Sequence, residues 1–358
     1  MASSAQKPHH HHHLNLPTPF GTTAAPPPTP SNLSSDSTTP DFLSHILHRL
    51  PPSLSLSLPT RRSSSSTTPP IISLSDPTPS LHSALLSAST QLGFFHLTHH
   101  SIPSHLPLSA EATALSLFPL PHNQKKLLFP SNWPLGHEID DDDVDGDTTS
   151  AVESFCLDSS FSTESTNELN FDSLREFTRE MEKLGLKVLE ELASAVGFDN
   201  PARNDLCSQL WISDGVNKPG RVYPYAVGLH YQKRCQKQSL LSDSGRVTVS
   251  GLADSVFVTL GDIAQVWSNG KVKKVRGRAF PVSSCDGNPS LSECIRMSLL
   301  ITLPVESSVV CPLIPGLITD EDEEKRLMLF NPFSFEDYAW TVYHQRLYLK
   351  DPLLRYRA

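Results

Sequence analysis

The chain has 358 residues, of which 38% are hydrophobic, and a formal net charge of −9. This charge gives no general attraction to nucleic acid or to an anionic membrane, and no apolar run approaches the roughly 20 residues of a membrane-spanning helix. The six cysteines are scattered without a C-x-x-C pair, which favours reduced thiols. We therefore expect a soluble intracellular protein, in the cytoplasm or alternatively the nucleus, that binds neither nucleic acid nor membrane.

Residues 1–68 are rich in Ser, Thr and Pro and contain only two acidic residues, Asp36 and Asp41. Such a segment cannot bury enough apolar surface to offset the cost of ordering it, so we predict that it is disordered. A Ser-rich, acid-poor leader also fits a plastid or mitochondrial transit peptide, which is the less favoured alternative. The run His9–His13 indicates a tract without function, with a metal-binding tract or an added tag as the alternatives.

From Pro69 onward the pattern is typical of short strands alternating with helices. We predict a folded N-terminal region over 69–137, with a helix around 80–92, and then an acidic, Ser/Thr-rich flexible loop over 138–170. The clearest helix covers 171–197, where one apolar stripe recurs at helical spacing and charged residues occupy the other side. A stripe of this kind predicts a helix that packs against the rest of the domain.

Four motifs follow one another in the second half of the chain. Ser255–Asp262 ends in Gly-Asp, Trp267–Gly270 reads WSNG, Lys273–Arg278 is a basic strand, and Arg296–Ser298 reads Arg-Met-Ser. This order resembles the plant branch of the iron(II) and 2-oxoglutarate-dependent dioxygenases, a family that includes gibberellin oxidases, 1-aminocyclopropane-1-carboxylate oxidases and isopenicillin N synthase. In that family the Arg-x-Ser pair binds the 2-oxoglutarate co-substrate.

Other segments extend the resemblance over residues 69–358. They are Pro69–Leu74, Gly93–Ile102, Phe118–Pro121, Asn331–Tyr338 and Asp351–Arg357. The resemblance implies an α+β fold, in which a double-stranded β-helix, or jelly-roll barrel, is supported by helices that include the long one at about 171–197. Residues 171–358 would then comprise this helix, the barrel and a C-terminal tail.

The resemblance also implies an iron site, which in this family consists of an early His-x-Asp, a later His, and open positions for 2-oxoglutarate and oxygen. Aligning Val227–Leu229 with the family's LGL places Gln232–Arg234 at the first tripeptide, and Gly277 at the second His. Gln232 offers a neutral amide, Arg234 a positive charge where a carboxylate belongs, and Gly277 no side chain. We therefore expect these to be degenerate ligand positions, with no metal bound and no catalytic residues.

Only two histidines follow residue 197, His230 and His344. His230 has Gln232, not an acid, two residues further on, so we expect a strand histidine with local partners and not a ligand. Alternation places Arg296 and Ser298 on one strand face, where they could bind the distal carboxylate of a 2-oxoglutarate-like anion. The alternative is a structural pair with a nearby acid or carbonyl. The family's carboxylate-binding Tyr has no counterpart in Gln209–Ser213, so any 2-oxoglutarate affinity should be weak.

Three functions remain open on these grounds. The favoured one is a catalytically degenerate dioxygenase-like protein that acts as a binding or regulatory scaffold, without cofactors. The alternative is an active oxidoreductase with an unconventional metal site, which would use iron(II) and 2-oxoglutarate to hydroxylate or oxidise a gibberellin, a flavonoid or an ethylene precursor. The third is a metal-independent enzyme. A small carboxylate or a protein is the expected partner, and the basic residues of Lys271–Arg278 could face an anion or an acidic partner.

Overall fold

The computed structural model describes residues 65–140, 152–158, 170–201, 205–214, 221–281, 295–306, 308–315, 328–345 and 351–358. The predicted disorder before residue 65 and the run His9–His13 lie outside these residues. Within them, no helix has both the length and the apolar character needed to cross a bilayer.

Fourteen strands are present in the described part of the chain. They are β1 Ser65–Thr67, β2 Ile71–Ser73, β3 Phe94–Thr98, β4 Gly136–Asp140, β5 Val152–Asp158, β6 Cys207–Ser213, β7 Val227–Gln232, β8 Lys237–Ser242, β9 Gly245–Ser250, β10 Ser255–Leu260, β11 Val275–Pro281, β12 Arg296–Thr302, β13 Val309–Val310 and β14 Phe333–Ser334. The helices are α1 Thr78–Gln91, α2 His105–Leu115, α3 His122–Leu128, α4 Asp172–Val196, α5 Asp262–Trp267, α6 Phe335–Gln345 and a 3-10 helix at Pro352–Tyr356.

Two sheets form the jelly roll. The major sheet has eight strands in the order β2-β3-β10-β7-β12-β6-β5-β4, and the minor sheet has four in the order β1-β9-β8-β11. Alternation along the central strands of the major sheet gives them one face toward the helices and one toward the minor sheet. Phe257 of β10, for example, packs with Leu240, Val247 and Val275 of the minor sheet, so this second face lines the barrel interior.

The long helix α4 packs on the outer face of the major sheet, as predicted. Its bounds of 172–196 agree with the predicted 171–197, and it ends at Gly197 in the left-handed conformation that favours glycine there. Gly185 faces the sheet so closely that a Cβ would lie 2.8 Å from Ile301 and 2.9 Å from Leu229. Direct contact with α4 therefore supports β7 and β12 on the outer face of the sheet.

Two boundaries of the sequence prediction differ from the structure. Ser65–Thr67, placed in the disordered segment, forms β1 and pairs in parallel with β9 at the edge of the minor sheet. Part of the predicted loop 138–170 forms β5, which pairs with β6 and completes a hairpin with β4. Phe155 and Leu157 are buried there, and their burial outweighs the acidic composition of the surrounding segment. Residues 141–151 and 159–169 lie outside the described residues.

A buried ion cluster connects the start of β11 to the C-terminal segment. The Nζ of Lys274, which is fully buried, lies 3.0 Å from Oδ1 of Asp262 and 2.6 Å from Oδ1 of Asp351. The Tyr338 hydroxyl donates to the other oxygen of Asp262 at 2.8 Å, and Asp351 also accepts from the backbone N–H of Leu353. Lys274 is therefore an internal tie between distant segments and is not available to an acidic partner.

Candidate functional site

The candidate site lies on the barrel-facing side of β10, β7 and β12. Along β7, His230 and Gln232 point to this side and Tyr231 to the other, because side chains alternate along a strand. In the register with β10, His230 lies opposite Phe257 and Gln232 lies opposite Ser255. Since Phe257 belongs to the barrel interior, His230 and Gln232 also face inward.

Strand β12 brings the predicted anion-binding pair to the same surface. It pairs antiparallel with β7, and continuing this register places Ser298 opposite His230 and Arg296 opposite Gln232. The Nδ1 of His230 lies 2.8 Å from the carbonyl oxygen of Met297, so the two strands remain close at this point. Arg296 and Ser298 thus follow one another on one face, as alternation predicts.

Two adjoining cavities open along this surface, and His230 lines both of them. The first has a volume of about 50 Å³ and opens to solvent. Three predicted site residues line the first cavity: Gln232, Arg234 and Arg296. The other two line the second: Gly277 and Ser298. The five predicted residues are therefore distributed over neighbouring cavities around one histidine.

The predicted tripeptide Gln232–Arg234 does not lie on one strand. Strand β7 ends at Gln232, and Lys233 and Arg234 form the bend that follows it. The two side chains that share the inner face at a spacing of two are instead His230 and Gln232. His230 is a strand histidine with a local partner at Met297, as expected. Its ring also lines both cavities, which was not predicted. The available signal was the spacing of two between His230 and Gln232, which places both side chains on one strand face.

Positive charge surrounds His230. The guanidinium of Arg278 stacks over the Trp211 ring at 4.6 Å, and Arg278 lines the second cavity with His230. Burial, together with the charges of Arg296 and Arg278, lowers the pKa of His230 to about 4, against the opposing effect of the Met297 carbonyl. Burial and the neighbouring Arg278 also lower the pKa of Arg296. The imidazole is therefore neutral near pH 7.

Gly277 has a backbone conformation that a side chain would strain. Its φ is +70°, and β11 changes register with β8 between Arg276 and Phe280. The Tyr225 hydroxyl lies 3.0 Å from the carbonyl oxygen of Val275 and 3.2 Å from that of Gly277, which fixes the strand on its inner side. Gly277 therefore differs from a regular strand residue in its backbone conformation as well as in the absence of a side chain.

The lowered pKa of His230 predicts a pH-dependent stability. The unfolded chain takes up the proton near the ordinary imidazole pKa of 6.5, and the folded chain only near 4. The stability that neutral His230 contributes is therefore fully present above pH 6.5 and is lost as the pH falls toward 4. Between pH 7 and pH 5 we expect the protein to lose about 1–2 kcal/mol of unfolding free energy relative to His230→Asn. Urea unfolding of both proteins at the two pH values measures this difference. An unchanged difference would contradict the buried neutral imidazole.

The described residues include no cluster of three or more His, Cys, Asp or Glu side chains that could hold a metal ion. The barrel-facing surface instead combines one imidazole, the amides of Gln232 and Gln238, and two guanidinium groups, those of Arg278 and Arg296. This set provides hydrogen-bond donors and acceptors for an anionic or polar ligand.

No family model matches the chain. The sequence is nevertheless 25% identical to 1-aminocyclopropane-1-carboxylate oxidase of Persea americana over 283 residues. This match covers 73% of this chain and 84% of that enzyme. It is 23% identical over 326 residues to gibberellin 2-beta-dioxygenase 2 of Arabidopsis thaliana, covering 81% of this chain and 90% of that enzyme.

Solved structures agree with these relatives. The dioxygenase for auxin oxidation in rice matches with a TM-score of 0.60 and 19% identity, over 81% of this chain and 99% of that one. JOX2 in complex with 2-oxoglutarate, iron and JA matches with a TM-score of 0.60 and 16% identity, over 82% of this chain and 90% of that one. The predicted jelly-roll fold is thereby confirmed. Similarity along most of the sequence, together with this fold, identifies the chain as a homologue of the plant iron(II)- and 2-oxoglutarate-dependent dioxygenases.

Proposed function

We propose that the protein is a catalytically degenerate relative of these dioxygenases that acts as a binding or regulatory scaffold. One observation carries the proposal: the only imidazole lining the two described cavities is that of His230, and the groups beside it are the Gln232 amide, Gly277 and the Arg278 guanidinium. A site built to hold iron for oxygen chemistry needs a different set of donors.

The residues present do not fit ferrous iron. Iron of this type is held by two imidazoles and one carboxylate, which donate lone pairs and offset part of its charge. Here Gln232 brings a neutral amide two residues after His230, where a carboxylate would complete the pair. Arg234 brings a positive charge, and Gly277 brings no donor. The same positive field that lowers the pKa of His230 also opposes a divalent cation in that place. No step of the proposed function therefore passes through a metal.

An anaerobic titration with iron(II) and 2-oxoglutarate tests this function. The full chain should carry His9–His13→Ser, because the run of imidazoles would sequester metal. We expect no metal-to-ligand charge-transfer band, no stoichiometric iron after desalting and no succinate. JOX2, whose structure contains both iron and 2-oxoglutarate, serves as the positive control under the same conditions.

A band at one iron per chain, together with succinate formation, would overturn the proposal. That result would favour an active oxidoreductase with an unconventional metal site. The first substrates to assay would then be small plant metabolites of the kinds that appear in the names of the relatives. Iron that binds without a charge-transfer band or turnover would also contradict the scaffold as described, because it would show that the charge argument at His230 is wrong.

A further inference from the structure

The first cavity contains a pair of buried amides whose hydrogen bonds are incomplete. The side chains of Gln232 and Gln238 are only 3% and 4% exposed, and Nε2 of Gln238 donates to Oε1 of Gln232 at 3.0 Å. Nε2 of Gln232 and Oε1 of Gln238 have no hydrogen-bond partner among the described residues. Buried amide groups are normally satisfied, so this pair indicates that a partner beyond the described residues completes it.

The unpaired hydrogen-bonding groups of the two glutamines do not depend on how the two amides are oriented. One hydrogen bond between two glutamines uses one N–H group and one carbonyl oxygen, whichever residue is the donor. Reversing both amides would exchange the roles of Gln232 and Gln238 and would again leave one donor and one acceptor. The cavity therefore presents an N–H donor and a C=O acceptor side by side.

Arg296 adds a cation to the same cavity. Register places it opposite Gln232, its Nη1 donates to the carbonyl of Ala279 at 3.4 Å, and its buried Nε has no hydrogen-bond partner among the described residues. A desolvated guanidinium is stabilised by an anion that accepts from it, and a carboxylate fits its geometry. One end of the ligand is therefore anionic.

His230 adds a second acceptor. Its Nδ1 lies 2.8 Å from the Met297 carbonyl, which can only accept, so Nδ1 carries the ring hydrogen. In the neutral ring Nε2 then bears a lone pair, and the lowered pKa of His230 agrees with that form at pH 7. Two acceptors, Oε1 of Gln238 and Nε2 of His230, thus accompany one amide donor and the Arg296 cation in this cavity. Lys233 and Arg234 also line it, and Lys233 forms an ion pair with Glu111.

We propose that this cavity binds a small organic carboxylate with a hydroxyl group on the carbon next to a carboxyl group, in preference to the corresponding 2-keto acid. The inference rests on the proposed function, because it assumes that no iron occupies the barrel. A metal ion accepts lone pairs, which a keto oxygen supplies. Here the protein supplies the lone pairs, so the ligand must bring a hydrogen.

A hydroxyl group meets this requirement and a keto group does not. The hydroxyl can donate to Gln238 or His230 while accepting from Gln232, whereas a keto oxygen can only accept and leaves both protein acceptors buried without a partner. Leaving a buried acceptor unpaired weakens binding by about tenfold or more. We therefore expect the hydroxy acid to bind about tenfold more tightly than the keto acid.

Titration calorimetry of the full chain in the presence of EDTA tests this preference with three matched dicarboxylates. They are 2-hydroxyglutarate, 2-oxoglutarate and glutarate, which differ only in the group at carbon 2. We expect 2-hydroxyglutarate to bind about tenfold more tightly than 2-oxoglutarate. Glutarate, which pairs with neither the amide donor nor the acceptors, should bind no more tightly than 2-oxoglutarate. Binding of 2-oxoglutarate or glutarate as tightly as 2-hydroxyglutarate, or binding of none of the three, would overturn the proposal.

Two variants locate the effect. Arg296→Met should abolish binding of all three acids, and Gln238→Met should reduce the preference for the hydroxy acid to threefold or less. Gln91→Met, a change at an exposed glutamine outside this cavity, should leave the order unchanged. Circular dichroism checks that the variants fold, and a Gln238→Met protein that folds and keeps the full preference would contradict the assigned acceptor. Iron binding in the earlier titration would overturn the scaffold, whereas these results with EDTA overturn only the hydroxyl selectivity.

Discussion

Replacing Lys274 with methionine should lower the free energy of unfolding by about 3–5 kcal/mol, since removing one partner of a buried ion cluster leaves the others unpaired. Lys274 is fully buried and its Nζ contacts Asp262 and Asp351. Without it, Asp262 loses its cation in the interior and Asp351 loses the contact that holds it against β11. The expected result is therefore a loss of stability and not a local rearrangement.

Chemical denaturation followed by fluorescence measures this effect, and the neighbouring lysine provides a matched control. Lys273 is exposed, so Lys273→Met should change the free energy of unfolding by no more than about 0.5 kcal/mol. Equal stability of the two variants would show that the buried cluster contributes no more than a surface charge.

Arg296→Met should have the opposite sign and raise the free energy of unfolding by about 1–4 kcal/mol, because it exchanges a poorly compensated buried cation for an apolar chain of similar length. Burial and Arg278 lower the pKa of Arg296 to about 9, although Asp214 opposes this shift, and its Nε has no hydrogen-bond partner among the described residues. A stabilising effect of Arg296→Met would indicate a binding role for Arg296, since functional sites often retain groups that destabilise the fold.

The same denaturation measurement in the absence of ligand tests this change. Arg355→Met, at an exposed arginine, is the control and should have little effect. If Arg296→Met destabilises the protein by more than about 1 kcal/mol, Arg296 has a structural role, as in the alternative reading of the sequence.

Much of the fold was predictable because its signals are local. The helix α4 carries its apolar stripe over its whole length, and the motifs from Ser255 to Ser298 occur in the family's order, so helix, barrel and family were all predicted correctly. Pairing partners far apart in the chain leave no such signal. The contact of Lys274 with Asp351 spans 77 residues and could not be inferred from a basic run.

The candidate site was predictable only in part, because one residue of register changes which side chains face inward. Motif alignment placed the first ligand position at Gln232, but β7 ends there, and the inner face continues backward to His230. The partner of Gln232 is Gln238, which lies on the minor sheet across the barrel. No spacing along the chain relates these two amides, and only the packing of the two sheets brings them together.

The tie between Lys274 and Asp351 also has a consequence for synthesis of the protein. A growing chain that has just added Lys274 already contains Asp262, but it must add 77 further residues before Asp351 exists. During that interval the lysine has one carboxylate instead of two, so the start of β11 gains its full burial only late in translation. A pause by the ribosome between these codons would prolong the exposure of a half-closed barrel to chaperones and proteases.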